Sequence, residues 1–532
     1  MPELSSADHS VSPPIVTIPR DYNVAYDLIE RNLRAGRSGK TAFIDDSGSI
    51  TYGQLAERVN RAANVLKGLD IGMEDRIMLV HRDTIDFPSV FLGAIKAGIV
   101  PIAGNTLVTT SDYEFMLNDS RAKALVVSEQ LLPTFAPLLD KRAGKLPFLK
   151  HVIVSGKDAK GQMSLQELMA KAGSAFEPAP TTCDDACFWL YSSGSTGTPK
   201  GTVHIQSSLI YTAELYARPV LGIREDDLVF SAAKLFFAYG LGNSLTFPMS
   251  VGATAILMAE RPTPASLFQR LRQHRPTIFS GVPTLYAALL ASSNLPKKEE
   301  VAIRVCASAG EALPADIGER WTKHFGVEIL DGIGSTEMLH IFLSNRPGEV
   351  HYGTTGKAVP GYQIRLVGED GMEVDTGEIG ELQINGQTAA AYYWNNREKT
   401  LATFVGAWTR TEDKFSVDQD GYYTYAGRSD DMLKVGGIYV SPIEVEAALM
   451  AHPAVFEAAV VGEPDEEKLI KPRAYVVAKY GVPATPALAK ELKAHVKSRL
   501  APHKCPHWVE FLPELPKTAT GKIQRFRLRT KT

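Results

Sequence analysis

The chain is poor in cysteine: 4 among 532 residues, Cys183, Cys187, Cys306 and Cys505, with no CxxC pair and no clustering with histidine. That excludes a disulfide framework and a zinc-finger spacing and suits a reducing compartment, so a cytoplasmic placement is expected. An excess of one charge is also missing. The 57 Lys and Arg against 60 Asp and Glu leave a net charge of -3, which argues against nucleic acid as a partner. The longest apolar stretch, LTFPMSVGATAILMA, is broken by Pro and polar residues and is too short to cross a bilayer, so no membrane partner is expected. The first twenty residues carry neither a basic start nor the apolar stretch of an export signal.

What is present is length and alternation. A chain of 532 residues exceeds the roughly 150 that one domain usually takes, so two or more folding units are expected. From residue 40, β-rich runs alternate with helical patterns: TAFID, TYGQLAERVNRAANVLKGL, RIMLVH, DFPSVFLGAIKAGI and ALVVS. This predicts βαβ units and a parallel sheet. The alternation returns in LVFSAA, ATAILMA, PASLFQRLRQHR, TIFSG, PTLYAALLA, IRVCASAG and VEILDGIG, which predicts a second, similar α/β half. Between 350 and 430, short strands such as YQIRLVG, ELQINGQ and GYYTYAG predict a β-rich subdomain, and the last hundred residues read as a small α+β unit. The expected fold class is therefore α/β: a large N-terminal domain over 1–429, made of two α/β subdomains and a β-rich one, and a small mobile domain over 430–532.

One stretch stands out chemically. YSSGSTGTPKG at 191–201 follows the apolar run CFWLY, and ten of its eleven residues are Gly, Ser, Thr, Pro or Lys. Glycines let backbone N–H groups approach phosphate oxygens, and hydroxyls donate further bonds. The spacing is not Walker A, because Gly194 and Gly197 are three apart and Gly201 follows Lys200. A second Gly-Lys-Thr, at 39–41, has Arg34 where the first Walker glycine belongs and reads as a surface turn.

With its companions in order, this stretch resembles the adenylate-forming enzymes, which include acyl- and aryl-CoA ligases, luciferases and peptide-synthetase adenylation domains. The companions are LFFAYG at 235, SAGEALP at 308, GIGSTE at 332, GEIGEL at 377, RTEDKF at 410, GRSDDMLKVGG at 427 and PKTATGKIQR at 516. The wording LFFAYGLGNS and DGIGSTEMLHIF is most similar to the benzoate-coenzyme A ligase branch. The resemblance implies ATP, Mg²⁺ and coenzyme A, with an acid first joined to AMP and then passed to the CoA thiol. It implies that Ser192, Ser193, Gly194, Ser195, Thr196, Gly197 and Lys200 hold the β- and γ-phosphates. Thr336 would face the α-phosphate and Glu337 would bind the metal, a hard cation that needs oxygen ligands. Ala309, Gly310 and Glu311, with Asp331, Gly332 and Ile333, would form the adenine slot, although many relatives carry Tyr where Ile333 stands. Asp413 and Arg428 would hold the ribose, Asp430 would be the hinge, Gly436 and Gly437 would admit the pantetheine arm, and Lys522 would be the catalytic cation bridging carboxylate and phosphate oxygens.

For the acid, the resemblance points to Phe237, Ala238, Tyr239, Gly334, His340 and Ile341, with His340 read as lying on an apolar helix. Ala238 stands where relatives that take amino acids carry Asp, which disfavours an ammonium group. Tyr239 and His340 are bulky and would shorten the pocket, so benzoate or a lightly substituted benzoate is expected. Another small acid, such as 4-hydroxybenzoate, 2-aminobenzoate, cyclohexanecarboxylate or a short fatty acid, is the alternative. A carrier-protein loader is disfavoured because the chain ends ten residues after Lys522. A nucleotide binder without turnover is disfavoured by the intact Lys200, Glu337 and Lys522. A hydrolase is disfavoured by the absence of G-x-S-x-G and HExxH. The expected partners are small-molecule substrates, and a homodimer stays open.

Overall fold

Runs of Val, Ile, Phe and Ala pair into two large sheets, and the strand ends of these sheets position the site. The computed structural model describes residues 3–140, 144–193, 199–428, 431–435, 438–466, 469–517 and 523–529; side chains 193, 434, 438, 439 and 526 are not described. The first sheet has eight strands, with Val100–Ala103, Arg76–Val80, Ala124–Ser128 and His151–Ser155 in parallel. Ala186–Ser193 joins Val100–Ala103 in parallel and turns back antiparallel into Pro199–Ile205. Burial on both faces explains why these strands read as continuous apolar runs. Ile77, Leu79, Leu125, Val126 and Phe188 are all fully buried.

The second sheet has nine strands, with Thr254–Ile256, Leu228–Ser231, Ile278–Gly281, Val305–Ser308 and Ile329–Gly334 in parallel. One strand departs from a simple tandem of halves. Thr41–Asp45, the first of the alternating runs, pairs with Thr254–Ile256 in the second sheet. The helix that follows it, Tyr52–Gly68, packs instead with Asp86–Lys96 of the first layer. Thr51 starts that helix by a reciprocal cap: its side chain accepts from Gln54 N, and the Gln54 side chain accepts from Thr51 N.

Residues 363–428 form the expected β-rich part, in which Gly380–Asn385 lies between Gln363–Val367 and Trp408–Val417, and Tyr423–Arg428 pairs with the latter. Beyond it, Val455–Pro464, Ile470–Ala478 and Trp508–Phe511 make a three-stranded sheet covered by Pro442–Met450 and Pro486–Lys497. Val445, Leu449, Val460, Val476, Leu492 and Val496 close a separate core there.

Candidate active site

The hairpin Ala186–Ser193/Pro199–Ile205 is anchored by Cys187, Phe188, Trp189 and Leu190, each at most 2% exposed, so its polar end is carried on a rigid base. Ser192 pairs with Lys200 across the hairpin. The Ser192 hydroxyl donates to Glu337 Oε1 at 3.4 Å, and the Tyr393 hydroxyl donates to the same oxygen at 2.8 Å. The Lys200 ammonium lies 4.7 Å above the Tyr393 ring. Burial lowers the Lys200 pKa, an effect the Glu337 charge opposes. Burial, together with the Glu337 charge, pushes the Tyr393 phenol up, so Tyr393 keeps its proton and acts as a donor.

Thr336 and Glu337 sit in the reversal between Ile329–Gly334 and Ile341–Ser344. Ala390 N donates to the Glu337 carbonyl at 2.7 Å. His204 Nε2 lies 2.8 Å from the Thr336 carbonyl oxygen, which only accepts, so that ring nitrogen carries the proton. Burial drops the His204 pKa to about 4, and its ring stacks on Phe188 at 5.2 Å. A neutral histidine therefore holds the turn from below.

At the carboxyl ends of the parallel strands, Ser308 pairs with Asp331, which sets Ala309–Glu311 beside Gly332–Ile333. Ligands of open α/β sheets gather at such strand ends. Gly310 has φ +98, and a Cβ there would meet only Val282, at 3.9 Å. Gly334 is demanded by the reversal itself, since a Cβ would fall 2.4 Å from the His340 carbonyl oxygen. The Asp331 side chain is buried, accepts from Leu313 N at 3.2 Å, and is pushed up to about 8 by burial.

Phe237 caps a short helix, Ala238–Leu241, and Leu235 N just before it donates to both carboxylate oxygens of Asp83 at 3.3 Å. His340 is not on a helix. It stands in the tight reversal, after Leu339 at φ +66, because the approach of Ile341 to Gly334 leaves no room for a helical turn. It is 3% exposed, with ring centroids 4.5 Å from Phe247, 5.3 Å from Tyr216 and 5.6 Å from Tyr239. Burial pushes its pKa down to about 3, so the ring is neutral. Tyr239 and His340 thus come together as one wall. Ile341 is 1% exposed and packs behind Gly332. Among the described residues, the Tyr239 hydroxyl, both amide atoms of Asn243, Ser280 Oγ and His340 Nδ1 are buried with no hydrogen-bond partner of good geometry.

Asp413 and Arg428 face each other across Trp408–Val417 and Tyr423–Arg428. The Tyr425 hydroxyl donates to Asp413 Oδ1 at 3.4 Å, and Arg428 donates to Glu412 Oε2 at 2.8 Å. Farther on, the bridge Lys517–Ile523 and the bond Gln524 N to Pro516 O at 2.8 Å bring together the two ends of the segment that carries Lys522. Arg525, just beyond it, donates to Glu446 at 2.8 Å and 3.1 Å and lies 3.6 Å from Asp431. Gly194, Ser195, Thr196, Gly197, Asp430, Gly436, Gly437 and Lys522 lie outside the described residues, as does the Ser193 side chain.

Among the described residues no three His, Cys, Asp or Glu side chains converge on a metal site. A magnesium ion held mainly by phosphate oxygens and water needs one or two carboxylates, and Glu337 supplies a hard oxygen donor of that kind. Sequence reasoning missed Tyr393, His204, Lys399 and Glu412. Only Glu412 carried a signal, its place inside RTEDKF.

Two family models match the chain: AMP-binding enzyme over residues 29–394 and AMP-binding enzyme C-terminal domain over 444–522. A benzoate–CoA ligase of Thauera aromatica is 65% identical over 99% of both chains. A 4-hydroxybenzoate–CoA/benzoate–CoA ligase of Rhodopseudomonas palustris is 49% identical over 96% of this chain and 95% of its own. Among solved structures, a benzoate CoA ligase from Burkholderia xenovorans LB400 superposes with a TM-score of 0.89 at 56% identity, over 96% of this chain and 100% of its own.

Proposed function

The chain belongs to the AMP-binding enzyme family, and from that premise we propose that it joins benzoate to coenzyme A at the expense of ATP. A benzoate oxygen attacks the α-phosphorus, the bond to pyrophosphate breaks, and benzoyl-adenylate forms. The CoA sulfur then attacks the benzoyl carbonyl, loses its proton, and AMP leaves with the carboxylate-derived oxygen. Both steps crowd negative charge, so fixed cations and donors carry the catalysis.

Lys200 and the hydroxyls of Ser192, Ser193, Ser195 and Thr196 hold the leaving phosphates. Glu337 holds magnesium, with its carboxylate oriented by Tyr393 and Ser192. Bound magnesium supplies neutralisation of phosphate charge. Ala309–Glu311 and Asp331–Ile333 take the adenine, and Asp413 with Arg428 takes the ribose. The benzoate ring lies against Phe237, Ala238, Tyr239 and His340. Lys522 bridges the attacking carboxylate and the α-phosphate. The small domain from Asp430 onward then turns so that Gly436 and Gly437 admit the thiol arm. With no described helix long and apolar enough to cross a membrane, and four cysteines free, the proposed compartment is the cytoplasm.

The observation that carries the substrate choice is the full-length likeness to a benzoate–CoA ligase. A hydroxy- or aminobenzoate is a second reading, supported by the buried polar atoms of Tyr239, Asn243 and Ser280, which lack a well-aligned partner among the described residues. The test is a panel of acids with ATP, Mg²⁺ and CoA, following AMP release. Benzoate is expected to lead. If straight-chain acids outrun every aryl acid, the pocket assignment fails and the family assignment stands.

A further inference from the structure

Lys399 and Arg428 reach one carboxylate from two different elements. Lys399 is on the helix Arg397–Thr403, and its ammonium donates to Glu412 Oε1 at 2.5 Å. Arg428 closes the strand Tyr423–Arg428 and donates to Glu412 Oε2 at 2.8 Å. The carboxylate between them is aimed by a bulge. Glu381 pairs with Lys414 but Gln383 with Arg410, so Thr411, Glu412 and Asp413 stand opposite Leu382 alone. Thr411 seals this bulge, its hydroxyl donating to Leu382 O at 2.8 Å and accepting from Asp413 N at 3.1 Å. Bulges re-aim side chains next to functional sites.

The backbone at Glu412 is strained. Its φ of +63 lies in the left-handed region, where a side chain costs about 1–2 kcal/mol relative to the right-handed one. The ion pairs do little to offset this, because Lys399, Glu412 and Arg428 have side chains 32%, 43% and 40% exposed. Pairs so accessible to water contribute little to stability. A glycine at 412 would relieve the backbone, so folding alone gives no reason for a glutamate there. Strain of this kind persists where the neighbourhood uses it.

The neighbourhood is the nucleotide pocket. Asp413 follows directly and faces Arg428 across the strands. The charges that hold the Glu412 carboxyl below its usual range, against burial, are Lys399, Arg428 and Lys200. Lys200 in turn sits over the Tyr393 ring, whose hydroxyl donates to Glu337. Two cations from separate segments, Lys399 and Arg428, therefore hold one strained glutamate, and the Lys200 charge acts on it electrostatically.

We propose that Glu412 is a positioning residue of the nucleotide site, fixing the Arg428 guanidinium beside Asp413 and drawing in Lys399 as a further cation on the polyphosphate side. The proposal rests on the reading of Asp413 and Arg428 as the ribose-holding pair. Without a carboxylate at 412, Arg428 loses this contact, and ATP binding must supply the lost order.

Full-length Glu412→Gln, Glu412→Gly, Lys399→Met, Lys399→Met/Glu412→Gln and Arg428→Ala test it, read by KM for ATP, KM for benzoate, kcat and the urea midpoint. Both Glu412 variants should raise KM for ATP by about threefold to tenfold while KM for benzoate stays within about twofold. Glu412→Gly should keep a urea midpoint at or above that of the parent, since strain is relieved. Lys399→Met should raise KM for ATP less in the Glu412→Gln background than in the parent. If Arg428→Ala raises KM for ATP but the Glu412 variants do not, the proposal is overturned and the ribose reading stands. If Arg428→Ala also leaves it unchanged, the ribose reading falls and takes the proposal with it. A Glu412→Gly enzyme that loses stability and shifts all constants together would make Glu412 a structural residue only.

Discussion

The Tyr393 hydroxyl donates to Glu337 Oε1 at 2.8 Å, and the same ring carries the Lys200 ammonium on its face at 4.7 Å. One aromatic side chain thus orients both the carboxylate assigned to magnesium and the lysine assigned to phosphate. Tyr393→Phe keeps the ring under Lys200 and removes only the donor. A hydrogen bond to a charged group is worth roughly 1.5–3 kcal/mol when buried, less where half-exposed. The magnesium concentration for half-maximal rate should rise about fivefold at fixed ATP, in a direct magnesium titration. An unchanged requirement would reduce Tyr393 to packing.

Gly242 backs the wall formed by His340. A Cβ at 242 would lie 2.4 Å from His340 Cδ2 and 2.9 Å from Phe247 Cζ. Overpacking of this kind costs about 1–3 kcal/mol and pushes side chains off their rotamers. Gly242→Ala should move His340 toward the ring space and raise KM for benzoate about tenfold, with KM for ATP within about twofold. Steady-state kinetics with each substrate varied in turn checks this, and equal changes in both would detach His340 from the acid pocket.

Asp83 gives a pH signature. Its carboxylate is buried, accepts from Leu235 N, and is raised to about 6 by burial, against the nearby Lys234 charge. The folded protein therefore binds this proton more tightly than the unfolded chain, so stability from this group is lost as pH rises from about 4 to about 6 and stays lost above. Asp83→Asn can still accept from Leu235 N and does not titrate. The stability of the variant relative to the parent should grow by about 2–3 kcal/mol between pH 4 and pH 7 in urea unfolding. A constant difference would contradict the raised pKa.

The strands themselves were legible from the sequence. RIMLVH and ALVVS became Arg76–Val80 and Ala124–Ser128 because a doubly covered parallel strand needs an unbroken apolar run. What that signal lacks is the identity of the neighbour: Thr41–Asp45 pairs with Thr254–Ile256, and nothing local distinguishes that sheet from the nearer one. The helix expected around His340 failed for a related reason. TEMLHIF has the apolar content of a helix, but Gly334 and Leu339 build a reversal that brings Ile341 back beside Gly334. In the site, Glu337, Lys200, Asp413 and Arg428 were marked by their motifs. Tyr393, His204, Lys399 and Glu412 matter through partners remote in sequence or through a backbone conformation, and spacing carries neither.

The role proposed for Lys522 separates the two half-reactions. Lys522→Ala should slow benzoyl-adenylate formation by about 10²–10³, the usual cost of removing one donor to developing charge. Thioester formation from supplied benzoyl-adenylate and CoA should stay near the parent rate. Single-turnover assays of each step decide it, and equal loss in both would refute the assignment.

The most direct measurement is exchange of labelled pyrophosphate into ATP with magnesium and benzoate but no CoA. Reversible adenylate formation predicts exchange that requires benzoate and stops when the acid is left out. If label never enters ATP with benzoate or any other aryl acid, no acyl-adenylate forms and the proposed reaction is wrong.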